Sequence, residues 1–265
     1  MISTTLADAA FGHDPGRWPL PAAGSAAELW LRAVAAGGQG RYASARADLA
    51  ALARLRPAGR LGSLAASTAG SFLRQQGWHG QAHDWDGRAW ARAGDDAESG
   101  VDALIGLAAD ALGVARLAAA AALLRRAVDL LGRAQAPPAR LAIRLAWVHA
   151  ELAMAAGAGA EAVGHARRGV DLAEQALPAL RRHRVKSDVV LAAALCCAGD
   201  IALSRTVAES ALADTREHGL VPLTWALGCL LADIGGGSYS DSEIADIRDR
   251  SAAFITRHGG RWSRR

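Results

Sequence analysis

Five small residues recur at nearly regular intervals along the chain, each between two apolar stretches with helical spacing. Successive members of the series are 37, 38, 42 and 42 residues apart. A period of this length is typical of helical repeats, in which each unit is a pair of helices joined by a tight turn. The five turn positions are Gly40, Gly77, Ala115, Gly157 and Gly199.

A second small residue follows each turn position by five. There the second helix of a pair must approach the first closely, and a large side chain would hold the two helices apart. These residues are Ala45, Ala82, Ala120, Ala162 and Ser204. The two series together predict an all-α fold, and a last helix pair around the Gly235–Gly237 turn brings the number of pairs to about six.

The composition agrees with such a fold and limits the partners. Apolar residues make up 51% of the chain and alanine is the main filler, which favours helices over strands. The 30 cations and 26 anions are spread along most of the chain, so the net charge of +4 does not by itself require nucleic acid. Lys186 is the single lysine, which indicates a high-GC coding bias.

We see no leader peptide and no uncharged stretch of membrane-spanning length in the sequence, so we expect a cytoplasmic protein with no membrane partner. Residues 1–24, rich in proline and glycine, are predicted to be an irregular arm. Residues 25–258 are predicted to be the helical repeat domain, and residues 259–265 a basic tail. Within the last pair, Ser240 and Glu243 stand at capping-box spacing and predict a helix start.

The first unit resembles the tetratricopeptide repeat family. Counting from Gly40, Tyr42 stands at that family's turn-packing aromatic position, Ala45 at its small contact position, Leu49 at its large apolar position and Pro57 at its terminating proline. Later units depart from the pattern at the aromatic position and are longer than the family's period of about 34 residues. Over residues 25–258 the resemblance implies an αα-solenoid, wound as a right-handed superhelix, whose first helices line a concave groove that binds other proteins.

One face of the first helix of the fourth unit carries a charged stripe. Arg140, Arg144, Trp147 and Glu151 stand at i, i+4, i+7 and i+11. The 42-residue offset aligns Arg144 with Asp102 before it and Lys186 after it, and the resemblance places such equivalent positions along the groove. We predict that the partner-binding residues are Asp102, Arg140, Arg144, Trp147, Glu151, Lys186 and Asp188.

Two interpretations of this stripe remain open. It could grip the carboxylate or backbone of a partner peptide or helix, with Trp147 as the aromatic anchor. Alternatively, Asp102–Arg144 and Glu151–Lys186 could be ion pairs between repeats, with Trp147 as a packing residue.

Catalytic signatures are absent from the sequence: it has no phosphate-binding loop, HExxH, GxSxG or paired CxxC motif. We therefore predict no catalytic residue, no metal and no cofactor, and expect a non-catalytic scaffold or adaptor. A less favoured hypothesis is a metal-dependent helical enzyme that uses His79, His83 and Asp86. We favour packing for the aromatic residues around these three and a surface position for His83.

The second hypothesis for function is a regulatory helical-repeat protein that acts on the transcription machinery or on DNA. It depends on the densest cationic cluster of the chain and on the arginine-rich tail. Such a cluster could bind phosphate, or it could simply be solvated. Its members are Arg181, Arg182, His183, Arg184 and Lys186.

Overall fold

The computed structural model describes residues 3–263, and within that range the chain forms thirteen α-helices and no β-strand. The six helix pairs predicted within residues 25–258 are all present, as α2 to α13. The helices are α1 Thr4–Phe11, α2 Ala26–Gly38, α3 Tyr42–Arg54, α4 Gly59–Arg74, α5 His79–Ala93, α6 Ala97–Gly113, α7 Leu117–Arg133, α8 Ala139–Ala155, α9 Gly159–Glu174, α10 Arg181–Cys197, α11 Ile201–Glu217, α12 Val221–Ile234 and α13 Asp241–Arg257.

The five predicted turn positions share one backbone geometry. Each has φ between +59° and +86°, the left-handed region that ends many helices. The N–H of the next residue then donates to the carbonyl five positions back, as Arg41 does to Ala36 at 2.9 Å and Asp200 to Leu195 at 3.0 Å. Ala115 adopts this geometry without being glycine, which costs about 1 kcal/mol. The predicted turns are confirmed.

The second predicted series is confirmed as well. All five small residues, from Ala45 to Ser204, have no exposed surface, and Ala45 and Ala162 share apolar clusters with residues of their first helices. The hydroxyl of Ser204 also donates to the carbonyl of Ala192 at 2.8 Å, which joins α11 to α10 within the fifth pair. The capping box of Ser240 and Glu243 is formed in full at the start of α13.

The first helix of each pair contacts the first helix of the next. Contacts of this kind join α2 to α4, α4 to α6, α6 to α8, α8 to α10 and α10 to α12. Each second helix instead packs against its own first helix, and every second helix except α13 also packs against the first helix of the following pair. The six first helices therefore form an inner row.

The last pair and the tail also contact the first two pairs, which the repeat pattern does not predict. The N–H of Ala43 donates to the carbonyl of His258 at 2.7 Å. One apolar cluster combines Tyr42 and Phe72 with Ile255, and Trp225 and Trp262 pack against it. The contacts between pairs thus continue from the last pair back to the beginning of the repeat domain, and we call these the closing contacts.

Within the predicted irregular arm, residues 4–11 form helix α1, and for these residues the expectation is wrong. Leu6, Ala9 and Ala10 stand at i, i+3 and i+4, and all three are buried, because α1 packs against α2 and α10. Residues 13–24 are largely without helix, as expected.

The C-terminal segment is docked rather than extended from the last helix. The N–H of Ser263 donates to the carbonyl of Gln76 at 2.9 Å, and the indole of Trp78 donates to the carbonyl of Arg261 at 2.6 Å. Trp262 packs on Trp225 with ring centroids 4.3 Å apart. Residues 264–265 of the predicted basic tail lie outside the described range.

No helix in residues 3–263 is both long enough and apolar enough to cross a membrane.

Candidate functional site

The inner row surrounds a cavity of about 590 Å³. All six first helices contribute side chains to its wall, and Phe11 of α1 and His79 of α5 complete it. This volume lies within the range of about 300–1,000 Å³ that is usual for ligand sites. Five aromatic side chains line the cavity: Phe11, Trp30, Phe72, Trp147 and Trp225.

Cations outnumber anions on the cavity wall. Its anionic side chains are Asp102 and Glu151. Its cationic side chains are Arg74, Arg140, Arg144, Arg182 and Lys186. These five cations differ in whether a carboxylate of the protein already neutralises them.

Arg140 is buried and fully paired. Its guanidinium donates to Asp102 at 2.6 Å and to Glu98 at 2.6 Å. Arg144 contacts the other carboxylate oxygen of Asp102, and Arg60 donates to the second oxygen of Glu98 at 2.7 Å. Because α4, α6 and α8 each contribute a charge to this network, it fixes the spacing of three first helices.

Trp147 has both packing and polar contacts. It is 8% exposed, belongs to an apolar cluster with Ile143 and Val190, and donates from its indole to Ser187 at 2.8 Å. On the cavity side, the ammonium of Lys186 lies 5.4 Å from its ring centroid, at cation–π distance. Lys186 also lies 3.9 Å from the carboxylate of Glu151.

The first turns of α10 bring three more groups to the wall. Arg182, His183 and Lys186 all line the cavity. The imidazole of His183 is 3% exposed, and its ring lies 5.4 Å from that of Trp147 and 6.2 Å from that of Phe11. Burial, with Arg182 and the other nearby cations, holds the pKa of His183 well below 6.5, so the imidazole is neutral at physiological pH.

Arg74 connects the cavity to a pair of buried carboxylates behind it. Its guanidinium donates to Asp86 at 2.9 Å and also to Asp110. The side chains of these two carboxylates are at most 1% exposed. Gly106 leaves the space for Asp86, since a Cβ there would lie 2.5 Å from the carboxylate carbon. Burial, only partly offset by Arg74, raises the pKa of Asp110 to about 7.

The structure brings six of the seven predicted partner-binding residues to this one cavity. Asp102, Arg140, Arg144, Trp147, Glu151 and Lys186 all line it, whereas Asp188 does not. Asp188 pairs with Arg184, which in turn contacts Glu174 at 2.9 Å. Positions 184 and 188 thus lie on a different face of α10 from positions 182, 183 and 186. Asp188 therefore does not share the cavity face with the charged stripe of α8.

The two interpretations of the stripe do not exclude each other. The ion pairs Asp102–Arg144 and Glu151–Lys186 are both present, and Trp147 packs in a core cluster, yet the same side chains line the cavity.

The three side chains of the less favoured metal hypothesis do not come together. Asp86 is buried and pairs with Arg74, His83 is exposed, and His79 lies at the cavity wall. In residues 3–263, no three His, Cys, Asp or Glu side chains are grouped so that they could hold a metal ion.

The cationic cluster of α10 does not form one solvated face either. Arg182, His183 and Lys186 line the cavity, Arg181 is exposed, and Arg184 is taken up by Asp188 and Glu174.

No protein-family model matches this chain, and no curated protein matches its sequence. The cavity is therefore the basis for a functional assignment.

Several cavity residues were not predictable from the repeat pattern. Arg74 faces carboxylates 12 and 36 residues further along the chain, and no local pattern connects them. Phe11 was overlooked because it lay in the predicted irregular arm, although the spacing of Leu6, Ala9 and Ala10 was a usable helix signal.

Proposed function

We propose that the protein is a non-catalytic adaptor whose cavity binds a short acidic segment of a partner protein, in the cytoplasm. One observation carries the proposal: the cavity wall combines five aromatic rings with two cations, Arg182 and Lys186, that have no carboxylate of residues 3–263 within hydrogen-bond distance. Aromatic and arginine side chains are the residue types that dominate binding energy at protein interfaces. Cationic groups in a partly enclosed site favour a ligand of opposite charge.

The fixed geometry of the cavity wall supports a binding role. Arg140 and Asp102 are buried and paired with each other, so their geometry is fixed before any ligand arrives. A preorganised wall loses little conformational freedom on binding, which favours affinity. The proposal keeps the right-handed, tetratricopeptide-like superhelix that the family resemblance implies. The inner row of first helices supports only the arrangement in which first helices line the binding site.

The test is site-specific photocrosslinking in cells. The photoreactive residue p-benzoylphenylalanine replaces Ser71, which lines the cavity, or Arg168, an exposed residue of α9 that serves as the matched control. We expect crosslinks from position 71 to a protein segment rich in Asp and Glu, and none to that segment from position 168.

A synthetic peptide of the crosslinked segment then provides the quantitative measurement. It should bind the purified chain, and replacing its acidic residues with Asn and Gln should weaken binding at least about tenfold, because a charge-assisted hydrogen bond contributes about 1.5–3 kcal/mol. The proposal is refuted if both positions capture the same segments, or if the neutral peptide binds equally well.

A further inference from the structure

Arg182 differs from the other arginines of the cavity wall in having no carboxylate partner. No carboxylate of residues 3–263 lies within 4.0 Å of its guanidinium, whereas Arg74, Arg140 and Arg144 each contact at least one. Its guanidinium carbon lies 6.0 Å from the centroid of the Phe11 ring. Burial, together with the nearby charge of Arg140, lowers the pKa of Arg182 to about 10. Its positive charge is thus poorly compensated within the protein.

His183 provides an independent observation that points to a ligand at this corner. Its Nδ1 is buried and has no hydrogen-bond partner among the described residues. Leaving a buried polar atom unpaired is energetically unfavourable, and native structures rarely leave such an atom without a reason. The neutral imidazole can donate from one ring nitrogen and accept at the other, so it is able to bind a ligand oxygen.

Lys186 completes the corner on the next turn of α10. Its closest carboxylate, Glu151, is 3.9 Å away, too far for a hydrogen bond, so its ammonium retains donors for a ligand. Arg182, His183 and Lys186 stand at i, i+1 and i+4 near the start of α10, where the helix dipole also favours negative charge.

We propose that Arg182, His183 and Lys186 form an oxyanion subsite, which binds one carboxylate or phosphate group of the ligand. The guanidinium of Arg182 supplies a planar fork for two ligand oxygens, and Lys186 supplies a point charge. The inference deepens the proposed function, since it assigns the acidic group of the bound segment to this corner. The subsite itself requires only an oxyanion.

The experiment is an NMR titration of the purified chain with ¹⁵N-labelled histidine. Two probes are added separately: inorganic phosphate and N-acetyl-glutamate N-methylamide, whose single negative charge is a side-chain carboxylate. The chain has eight histidines, and a His183→Gln sample assigns the signal of interest. An anion bound beside the imidazole should raise the pKa of His183 by about one unit or more.

Two neighbouring variants distinguish a site from general charge attraction. Arg182→Gln removes the unpaired cation, and Arg181→Gln removes an exposed cation one residue away that does not line the cavity. We expect probe binding to weaken at least about tenfold in R182Q and to be retained in R181Q. The helical circular dichroism of both variants must match that of the wild type.

The two probes distinguish the sources of the anion. Binding of the carboxylate probe supports the acidic group of a peptide as occupant, and binding of phosphate alone supports a free phosphate or a phosphorylated group. The subsite is overturned if neither probe moves the His183 signal, or if R181Q loses as much affinity as R182Q. Crosslinking at position 71 tests the adaptor separately. A captured acidic segment with an unresponsive His183 would reject only the subsite. A responsive His183 without any captured segment would reject only the adaptor.

Discussion

The buried carboxylates behind the cavity make a direct prediction about pH. Asp86 and Asp110 share one guanidinium, that of Arg74, and one oxygen of each carboxylate has no hydrogen-bond partner among the described residues. Two negative charges against one positive charge at a buried site favour protonation of one carboxyl group. We expect Asp110→Asn, which imitates the protonated carboxyl group, to stabilise the protein at neutral and higher pH.

The size of the effect follows from the pKa of Asp110, which is raised from 3.8 to about 7 in the folded chain. Between these values the folded state holds a proton that the unfolded state has released. The free energy of unfolding of the wild type therefore falls as pH rises, by about 1.4 kcal/mol per pH unit, and levels off above about pH 7. The amide of the D110N variant does not titrate, so the variant should gain up to about 4 kcal/mol over the wild type across this window.

The assay is urea unfolding followed by the helical circular dichroism, at intervals from pH 4 to pH 8, on both proteins. His79, His149 and His183 have lowered pKa values, so their contribution to the free energy of unfolding rises with pH. Taking the difference between variant and wild type cancels this contribution. Asp129→Asn, at an exposed position of α7, is the control and should change stability by less than about 0.5 kcal/mol. A difference for D110N that stays flat, or that shrinks as pH rises, would refute the reasoning.

Three further predictions concern stability, each measured by the same urea unfolding assay at pH 7. Gly106→Ala should destabilise the protein by about 1–3 kcal/mol because the added Cβ would overlap Asp86. The control, Gly164→Ala, lies at an exposed position inside α9 with nothing within 4 Å, and should stabilise the protein by about 0.5–1 kcal/mol. Equal effects of the two substitutions would contradict the packing of Gly106 against Asp86. Ser240→Ala should cost about 1 kcal/mol through loss of the cap of α13, and no cost would show that the capping box is not formed. Trp262→Ala should cost about 3 kcal/mol by removing the ring that packs in the closing contacts, and a neutral result would mean that the tail is not docked.

The helix pairs were predictable because their signals are local. A turn that requires positive φ favours glycine, as at Gly40 and Gly157, and a close helix approach admits only a small residue, as at Ala45. Each of these requirements acts within a few residues of the chain. The short helix α1 is hard to predict because only three apolar residues give it helical spacing, and the proline and glycine residues that follow favour an irregular segment.

The candidate site was predictable where the repeat period relates its parts. Asp102, Arg144 and Lys186 are 42 residues apart, and the period placed them on one surface. The contact of Arg74 with Asp110 has no such relation, nor does the position of Phe11 beside Arg182. These contacts depend on how far the row of helices curves, which a sequence period does not determine.

The closing contacts give the first and last helix pairs of this chain a neighbour on both sides. An open repeat array loses structure from its terminal units inward, because each of them has a neighbour on one side only. Here Arg46 donates to the carbonyl of Gly259 at 2.5 Å, across 213 residues of sequence, so the first and last pairs protect each other. Contacts of such long separation are entropically costly to form and therefore come late in folding. The amides of α3 and α13 should thus exchange with solvent about as slowly as those of α7 and α8, and the fold should be lost in one cooperative step rather than frayed from its termini.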